Sequence, residues 1–154
     1  MPRGARKESG SGCHHVIIRG NNRQVLFRDN ADFEKFAEIV KLYLPRDGVK
    51  LHHYCLMSNH VHLLVGCENI KILCRFMHGI QRSYHHYYRK TYTFFGHLTQ
   101  GRFRSYPIED DGYLLECGRY IERNPVQAKK WFSGLNSGLI QAIDSMRRVK
   151  LRIS

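Results

Sequence analysis

The sequence lacks the cysteine pattern of a disulfide-linked or zinc-stabilised domain. Its 154 residues include five cysteines, an odd number, and no Cys-x-x-Cys pair. A disulfide framework uses paired cysteines and a structural zinc cluster uses closely spaced ones, so the sequence favours neither. Unpaired thiols are typical of a reducing compartment, and we expect a cytoplasmic protein.

Long apolar runs are also missing. No stretch approaches the roughly 18 consecutive apolar residues that a membrane-spanning helix needs, so we expect no contact with a membrane. Residues 1–12 are basic and rich in glycine and serine, without the hydrophobic centre of a signal peptide. We expect this segment to be flexible, and a contact with phosphates stays open for it.

Acidic residues are scarce relative to basic ones. The chain has 25 Lys and Arg against 13 Asp and Glu, which gives a net charge of +12 with neutral histidine. This excess favours a polyanionic partner. Cations and aromatic residues alternate in segments 82–84, 87–90 and 102–106. That mixture suits single-stranded nucleic acid, where cations follow phosphates and rings stack on unpaired bases.

Hydrophobic patterning predicts one α+β domain over residues 1–154, without internal repeats. The predicted elements are a strand at 13–19, a helix at 32–44, strands at 49–57 and 60–66, a helix whose apolar stripe runs from 73 to 87, and a strand at 103–108. A turn at 20–22 follows the first strand, and Pro-Arg-Asp-Gly at 45–48 is expected to end the first helix. This order suits a ferredoxin-like antiparallel sheet with helices on one face.

The C-terminal part is predicted to add helices to this core. Residues 111–124 have a helical pattern that Pro125 ends. Residues 133–154 form a basic extension with a possible helix at 139–149, whose cations suit either a solvated face or a further DNA contact. Pro107 in the last predicted strand indicates the edge of the sheet.

His60 and His62 flank Val61 at the start of the strand predicted at 60–66. Residues two apart on a strand point to the same face, so both imidazoles could bind one metal ion while Val61 faces the core. Two structural histidines on a strand produce the same pattern. The pair is therefore half of a candidate metal site, and it needs further residues.

Tyr120 and Asn124 lie four residues apart on the helix predicted at 111–124. This spacing places a phenol and an amide oxygen on one helix face. The phenol could attack an electrophile and the amide oxygen could complete a metal site. A tyrosine in the core and an asparagine that caps the helix would give the same spacing.

Four motifs in this order resemble the single-tyrosine HUH transposases, which are IS200-like, and most closely the REP-associated tyrosine transposases. The resemblance runs from Gly12 to Ala128, and its motifs are His15-Val16 with 19–23, 54–64, 96–103 and 113–126. It implies a ferredoxin-like HUH nuclease domain that binds single-stranded or hairpin DNA, and that associates with the nucleoid when bound.

The resemblance also implies roles for individual residues. His60, His62 and Asn124 match the ligands of a divalent metal ion, Mg²⁺ or Mn²⁺, and Tyr120 matches the nucleophile. Such a transposase cleaves DNA and transfers the strand through a 5′-phosphotyrosine intermediate. A non-catalytic hairpin-binding protein on the same fold is the alternative, and a phosphodiesterase that uses water is another. A homodimer, with Tyr120 serving either subunit's metal, also stays open.

Further side chains are candidates for DNA contact or for support of the site. The arginines interpreted as DNA-binding are Arg19, Arg23, Arg82, Arg102, Arg104, Arg119 and Arg123. We expect Arg102 and Arg104 to lie on one strand face beside Gly101, where a backbone can approach closely. His15 is a candidate supporting residue, and a hydrogen-bonded structural histidine is its alternative. The remaining histidines are interpreted as surface or groove residues.

Overall fold

The computed structural model describes residues 4–109 and residue 112 of the chain. Its elements in chain order are β1 (Cys13–Arg19), a short 3₁₀ helix (Asn21–Arg23), α1 (Asn30–Asp47), β2 (Lys50–Met57), β3 (His60–Gly66), α2 (Ile70–Tyr92) and β4 (Arg104–Ile108). The order of strands and helices confirms the sequence prediction. The helices predicted at 111–124 and 139–149, and the extension at 133–154, lie outside the described residues.

The four strands form one antiparallel sheet in the order β2-β3-β1-β4. This is the ferredoxin-like arrangement that the sequence predicted. β4 is an edge strand, and Pro107 lies in it, as a residue without a backbone N–H requires.

Both helices pack on one face of the sheet. Val16, Ile18, Val61, Leu63 and Val65 are buried against apolar side chains of α1 and α2 in the main core. The alternate strand residues point to the other face, where Cys13, Cys55, Leu64 and Ile108 form a second, smaller cluster. The two faces of the sheet thus carry separate hydrophobic clusters, and the second face also carries the histidines discussed below.

α1 extends three residues past its predicted end. Asp29 caps its N-terminus by accepting a hydrogen bond from the Asp32 N–H at 3.1 Å. Pro45 lies inside the last turn, where the missing proline N–H leaves one helical hydrogen bond unmade. Gly48, with φ of 67°, then ends the helix in the left-handed conformation. The prediction that the segment 45–48 ends α1 is thus confirmed, but the predicted last residue, 44, was wrong because a single lost bond near a C-terminus is tolerated.

The apolar stripe of α2 ends on a different tyrosine from the predicted one. Tyr84 and Tyr88 are buried, whereas Tyr87 is partly exposed. The Tyr87 hydroxyl donates to the buried carboxylate of Asp32 at 2.8 Å, and the Tyr92 hydroxyl donates to the same carboxylate at 2.6 Å. These bonds connect the end of α2 to the start of α1.

Residues 4–12, for which the sequence predicted flexibility, contact the edge strand and α2. The Ser9 hydroxyl donates to the Ile108 carbonyl at 2.6 Å. The Glu8 carboxylate accepts from the Ile70 N–H, the first of α2, at 3.0 Å. An acidic group at this position is favourable because it faces the positive end of the helix dipole.

Among the described residues, no helix is long and apolar enough to cross a membrane.

Gly79 sets the distance between α1 and α2. A Cβ atom at this position would lie 2.5 Å from Cε1 of Tyr43, which is well inside van der Waals contact. The Tyr43 ring is held in place because its hydroxyl bonds to Ser83 at 2.7 Å and the Arg46 guanidinium lies 4.1 Å from the ring centre. The ring therefore has little freedom to move aside.

We predict that Gly79→Ala destabilises the protein even though alanine is the better helix former by about 1 kcal/mol. The overpacked contact with Tyr43 should cost about 1–3 kcal/mol and exceed that gain. Urea unfolding measures the difference. Adding Tyr43→Ala to the same chain should recover part of the loss, and a Gly79→Ala protein more stable than wild type would contradict the packing described here.

Candidate metal centre

His60 and His62 lie side by side on the face of the sheet that α1 and α2 leave uncovered. In the ladder with β1, His60 pairs with Arg19 and His62 pairs with Ile17. The two imidazole centroids are 5.0 Å apart and the rings are nearly perpendicular. Val61, between them, is fully buried on the core side. The alternation of β3 thus brings the two rings together.

Each ring of the pair is oriented through its Nδ1 atom. His60 Nδ1 lies 2.7 Å from Oδ1 of Asn59, and His62 Nδ1 lies 3.0 Å from Nε2 of His15. Because an amide oxygen only accepts, His60 Nδ1 carries the proton and Nε2 is its electron-pair donor. In the tautomer of His62 that carries its proton on Nδ1, this atom donates to His15 Nε2 and the electron pair of His62 lies on its own Nε2. Metal-binding histidines are typically held in this way through the nitrogen that does not bind the metal.

All three rings favour the neutral form. Burial, reinforced by His15, His60 and Arg19, lowers the pKa of His62 to about 4. Burial also lowers the pKa of His15, and burial together with Arg19 lowers the pKa of His60. A neutral imidazole is the form that binds a metal ion. The electrostatics of this face are therefore compatible with metal binding at neutral pH.

The described residues supply only part of a metal site. Within residues 4–109, no three His, Cys, Asp or Glu side chains are arranged to hold one ion. His15 lies in hydrogen-bonding contact with His62 and is buried, which suits a supporting role. Asn124, the predicted third ligand, and Tyr120, the predicted nucleophile, lie outside the described residues.

The predicted DNA-binding arginines are distributed over both faces of the sheet. Arg19 lies beside His60, and Arg104 lies beside Ile17 on the same face. Arg23 belongs to the short 3₁₀ helix, and Arg82 is exposed on α2. Arg102 precedes β4, so the prediction that it shares a strand face with Arg104 was wrong.

Arg119 and Arg123, the other two arginines of this set, lie outside the described residues.

The structure brings three of the sequence motifs into direct contact next to His60. The Gly20 N–H donates to the Asn59 carbonyl at 2.9 Å, and the Asn21 N–H donates to the Leu98 carbonyl at 2.9 Å. The Gln100 N–H donates to the Arg19 carbonyl at 2.8 Å. Segments 19–23 and 96–103 therefore form one substructure around the turn that precedes β3.

Sequence reasoning missed two residues of this face. Asn59 orients His60 through the bond described above, and its position next to the histidine pair was the available signal. Tyr106 pairs with His15 in the ladder between β1 and β4, its ring centre lies 6.1 Å from that of His15, and it is 43% exposed. The alternation of β4 from Arg104 would have placed this tyrosine on the same face.

Fold and site together define a ferredoxin-like α+β domain with a histidine pair on the sheet face opposite α1 and α2. The model of the family described as "Transposase IS200 like" matches residues 10–124. The chain belongs to this IS200-like transposase family. Its membership confirms the family expected from the four motifs.

Two solved structures share the fold. One is a REP-associated tyrosine transposase bound to a REP hairpin, with a TM-score of 0.68 and 15% identity over 83% of this chain and 74% of that one. The other is a candidate transposase from Deinococcus radiodurans R1, with a TM-score of 0.51 and 20% identity over 80% of this chain and 95% of that one. No curated protein matches the sequence significantly.

We predict that the metal-free protein loses stability as the pH falls from 6.5 toward 4. Because the pKa of His62 is lower in the folded state, the unfolded chain binds the proton first, and protonation favours unfolding in this window. His15 and His60 act in the same direction. The loss attributable to His62 should be on the order of a few kcal/mol.

Urea unfolding at a series of pH values, in the presence of a chelator, measures this dependence. His62→Gln should flatten the curve between pH 6.5 and 4, whereas His78→Gln, at an exposed position of α2, should not. Parallel curves for wild type and His62→Gln would show that the histidine cluster is not the source.

Proposed function

We propose that this protein is a metal-dependent transposase that cleaves single-stranded or hairpin DNA and transfers the strand through a 5′-phosphotyrosine on Tyr120. The observation that carries the proposal is the histidine pair, held neutral by burial and oriented on the sheet face opposite α1 and α2, in a chain of the IS200-like transposase family. A non-catalytic hairpin-binding protein has no physical need for two such histidines, because DNA contact alone requires neither.

The residues of this face fit a divalent metal ion. Asn59 and His15 hold the two Nδ1 atoms, which leaves Nε2 of each ring as the natural ligand atom, and Asn124 would supply an oxygen. Imidazole with oxygen ligands suits Mn²⁺, and Mg²⁺ is compatible where several water or phosphate oxygens complete the shell. When bound, the ion would supply Lewis-acid polarisation of a phosphate and a template for its orientation.

Tyr120 would act as the nucleophile. A phenol with an ordinary pKa near 10 is weak at neutral pH, so it depends on a phosphodiester that is already polarised and aligned. The bond from the tyrosine oxygen to phosphorus forms as the bond to the 3′-oxygen breaks. The phenol loses its proton and the leaving 3′-oxygen gains one, so no net charge develops. Reversal with another 3′-hydroxyl rejoins the strand without ATP.

His15 and Arg19 would assist from β1. His15 would orient the ring of His62 through the contact between His15 Nε2 and His62 Nδ1, and its removal would take away this restraint. Arg19 pairs with His60 in the ladder, where its guanidinium can neutralise a phosphate brought to the histidines. The hairpin is proposed as substrate because the structurally similar REP-associated transposase is bound to a REP hairpin.

We predict that Mn²⁺ raises the melting temperature of the wild-type protein at pH 7, because a ligand that binds only the folded state stabilises it. The double variant His60→Ala/His62→Ala should lose the shift, and Asn124→Ala should keep more of it because an amide is a weak ligand. Isothermal calorimetry with Mn²⁺ provides the binding constant. His78→Ala is the control, and undiminished Mn²⁺ binding by the double variant would refute the assignment.

We predict that Tyr120→Phe abolishes covalent attachment to hairpin DNA while binding stays within a few-fold, since only one hydroxyl is removed. End-labelled single-stranded hairpin DNA is incubated with Mn²⁺ and separated on a denaturing gel. Tyr106→Phe, the tyrosine on the histidine face within the described part of the chain, is the matched control. An adduct in Tyr120→Phe, or its loss in Tyr106→Phe, would place the nucleophile elsewhere.

A further inference from the structure

α2 carries a stripe of basic and histidine side chains on its exposed side. His78, Arg82, His85 and Arg89 follow one another at spacings of four, three and four residues, so they lie on one face of the helix. From His78 to Arg89 the stripe is about 16 Å long, at 1.5 Å per helical residue.

Three cavities run beside this stripe and share their walls. Arg82 and His85 line both the cavity of about 520 Å³ near Phe95 and the cavity of about 490 Å³ near Thr99. Arg6, Arg102 and Phe103 line both the second cavity and a third, of about 560 Å³, along β4. The three cavities therefore adjoin one another, and we call them together the basic track, which runs from the C-terminal end of α2 to the edge strand.

The charge of the basic track has one sign. Its α2 end is lined by Arg82, Arg89 and Lys90, and its β4 end by Arg6, Arg102 and Arg104. No aspartate or glutamate lines it within residues 4–109. Cations arranged along a line, without acidic residues between them, are the electrostatic footprint of a phosphate backbone.

Phe95 distinguishes this track from a general anion surface. Its ring is 78% exposed and lines the same cavity as Arg89 and Lys90, whereas neighbouring Phe94 packs inward against Tyr88 with ring centres 5.3 Å apart. An exposed ring among cations suits stacking on an unpaired base, which a fully paired duplex does not offer. His85 Nε2, at the junction of the first two cavities, is buried and has no hydrogen-bond partner.

The β4 end of the track leads to the histidine pair. Arg104 and Tyr106 line the third cavity and belong to the strand face that carries His15 and His62. The α2 end lies on the helical side of the sheet. The basic track thus passes around the free edge of β4, from one side of the sheet to the other.

We propose that the basic track binds an unpaired segment of the DNA substrate and leads it around β4 to the histidine pair, with Phe95 stacked on one of its bases. The inference rests on the proposed function in one respect, which is that the bound polymer is DNA. The track itself is defined by residues that neither hold the proposed metal nor attack the phosphate.

The first test compares the salt dependence of binding. Fluorescence anisotropy with a labelled 12-nucleotide single strand gives the slope of log affinity against log salt for the full chain. Arg82→Ala/Arg89→Ala should weaken binding at least ten-fold and reduce the slope by about 1.4, or 0.7 for each lost phosphate contact. Lys50→Ala/Lys71→Ala removes the same charge at exposed positions outside the track. Equal losses in both double variants would overturn the proposal.

The second test examines base stacking. Phe95→Ala should weaken binding of the single strand about five-fold or more, Phe95→Tyr should restore it, and neither should change binding of a blunt duplex. Leu42→Ala, at a side chain 69% exposed on α1, is the control. Unchanged affinity of Phe95→Ala for the single strand, or an equal loss for the duplex, would overturn the stacking role.

Failure of the track and failure of the proposed chemistry are distinguishable. A wild-type protein that binds single strands through the track but forms no adduct would support the track and refute the transposase chemistry. An adduct formed by the wild-type protein, together with single-strand binding that Arg82→Ala/Arg89→Ala leaves unchanged, would refute the track and support the transposase chemistry.

Discussion

The two-residue period of β3 is the constraint on which the rest of the structure depends. Val61, Leu63 and Val65 must face α1 and α2 to complete the core, and this requirement fixes the direction of every other residue in the strand. His60 and His62 consequently point to the opposite face, where β1 supplies His15 and Arg19. A shift of register by one residue would bury the histidines among the helices and expose the valines. Core packing and the candidate site are therefore determined by the same pairing.

The histidine face and the basic track differ in burial and in the charge of their side chains. On the histidine face, burial and Arg19 keep the imidazoles neutral, so they can donate electron pairs to a cation in a protein whose net charge is +12. In the basic track, most of the cations, among them Arg82, Arg89 and Arg102, are exposed and can exchange solvent counterions for phosphates. A phosphodiester bound between these surfaces would bring its own negative charge, which offsets the repulsion between arginines and a metal ion.

Local patterns predicted most of the fold. Strand alternation gave β1 and β3 with their observed bounds, and Pro107 correctly indicated an edge strand. The predicted last residue of α1 was wrong because proline near a helix C-terminus costs only one hydrogen bond. The burial of Tyr88 rather than Tyr87 depends on the tertiary hydrogen bond from the Tyr87 hydroxyl to Asp32. Such contacts join residues more than 50 positions apart, and periodicity contains no information about them.

The site was predictable to the extent that it depends on one strand. The pairing of His60 with His62 follows from their spacing, whereas the bond from His15 to His62 depends on the register between β1 and β3. Tyr106 reaches the same face only through the ladder with β4, which is remote in sequence. The basic track combines α2, the segment after it and β4, so the alternation of cations and rings in the sequence indicated its chemistry but not its continuity.

The most direct measurement is the site of covalent attachment. After reaction with hairpin DNA and Mn²⁺, nuclease trimming and digestion with trypsin, mass spectrometry would locate the residual nucleotide. Cleavage after Arg119 and Arg123 releases the peptide 120–123, Tyr-Ile-Glu-Arg, in which Tyr120 is the single tyrosine. The account predicts a nucleotide 5′-phosphate on this peptide. A nucleotide on a peptide that contains Tyr106 or Tyr113 instead, or DNA that is cleaved without any modified peptide, would contradict it.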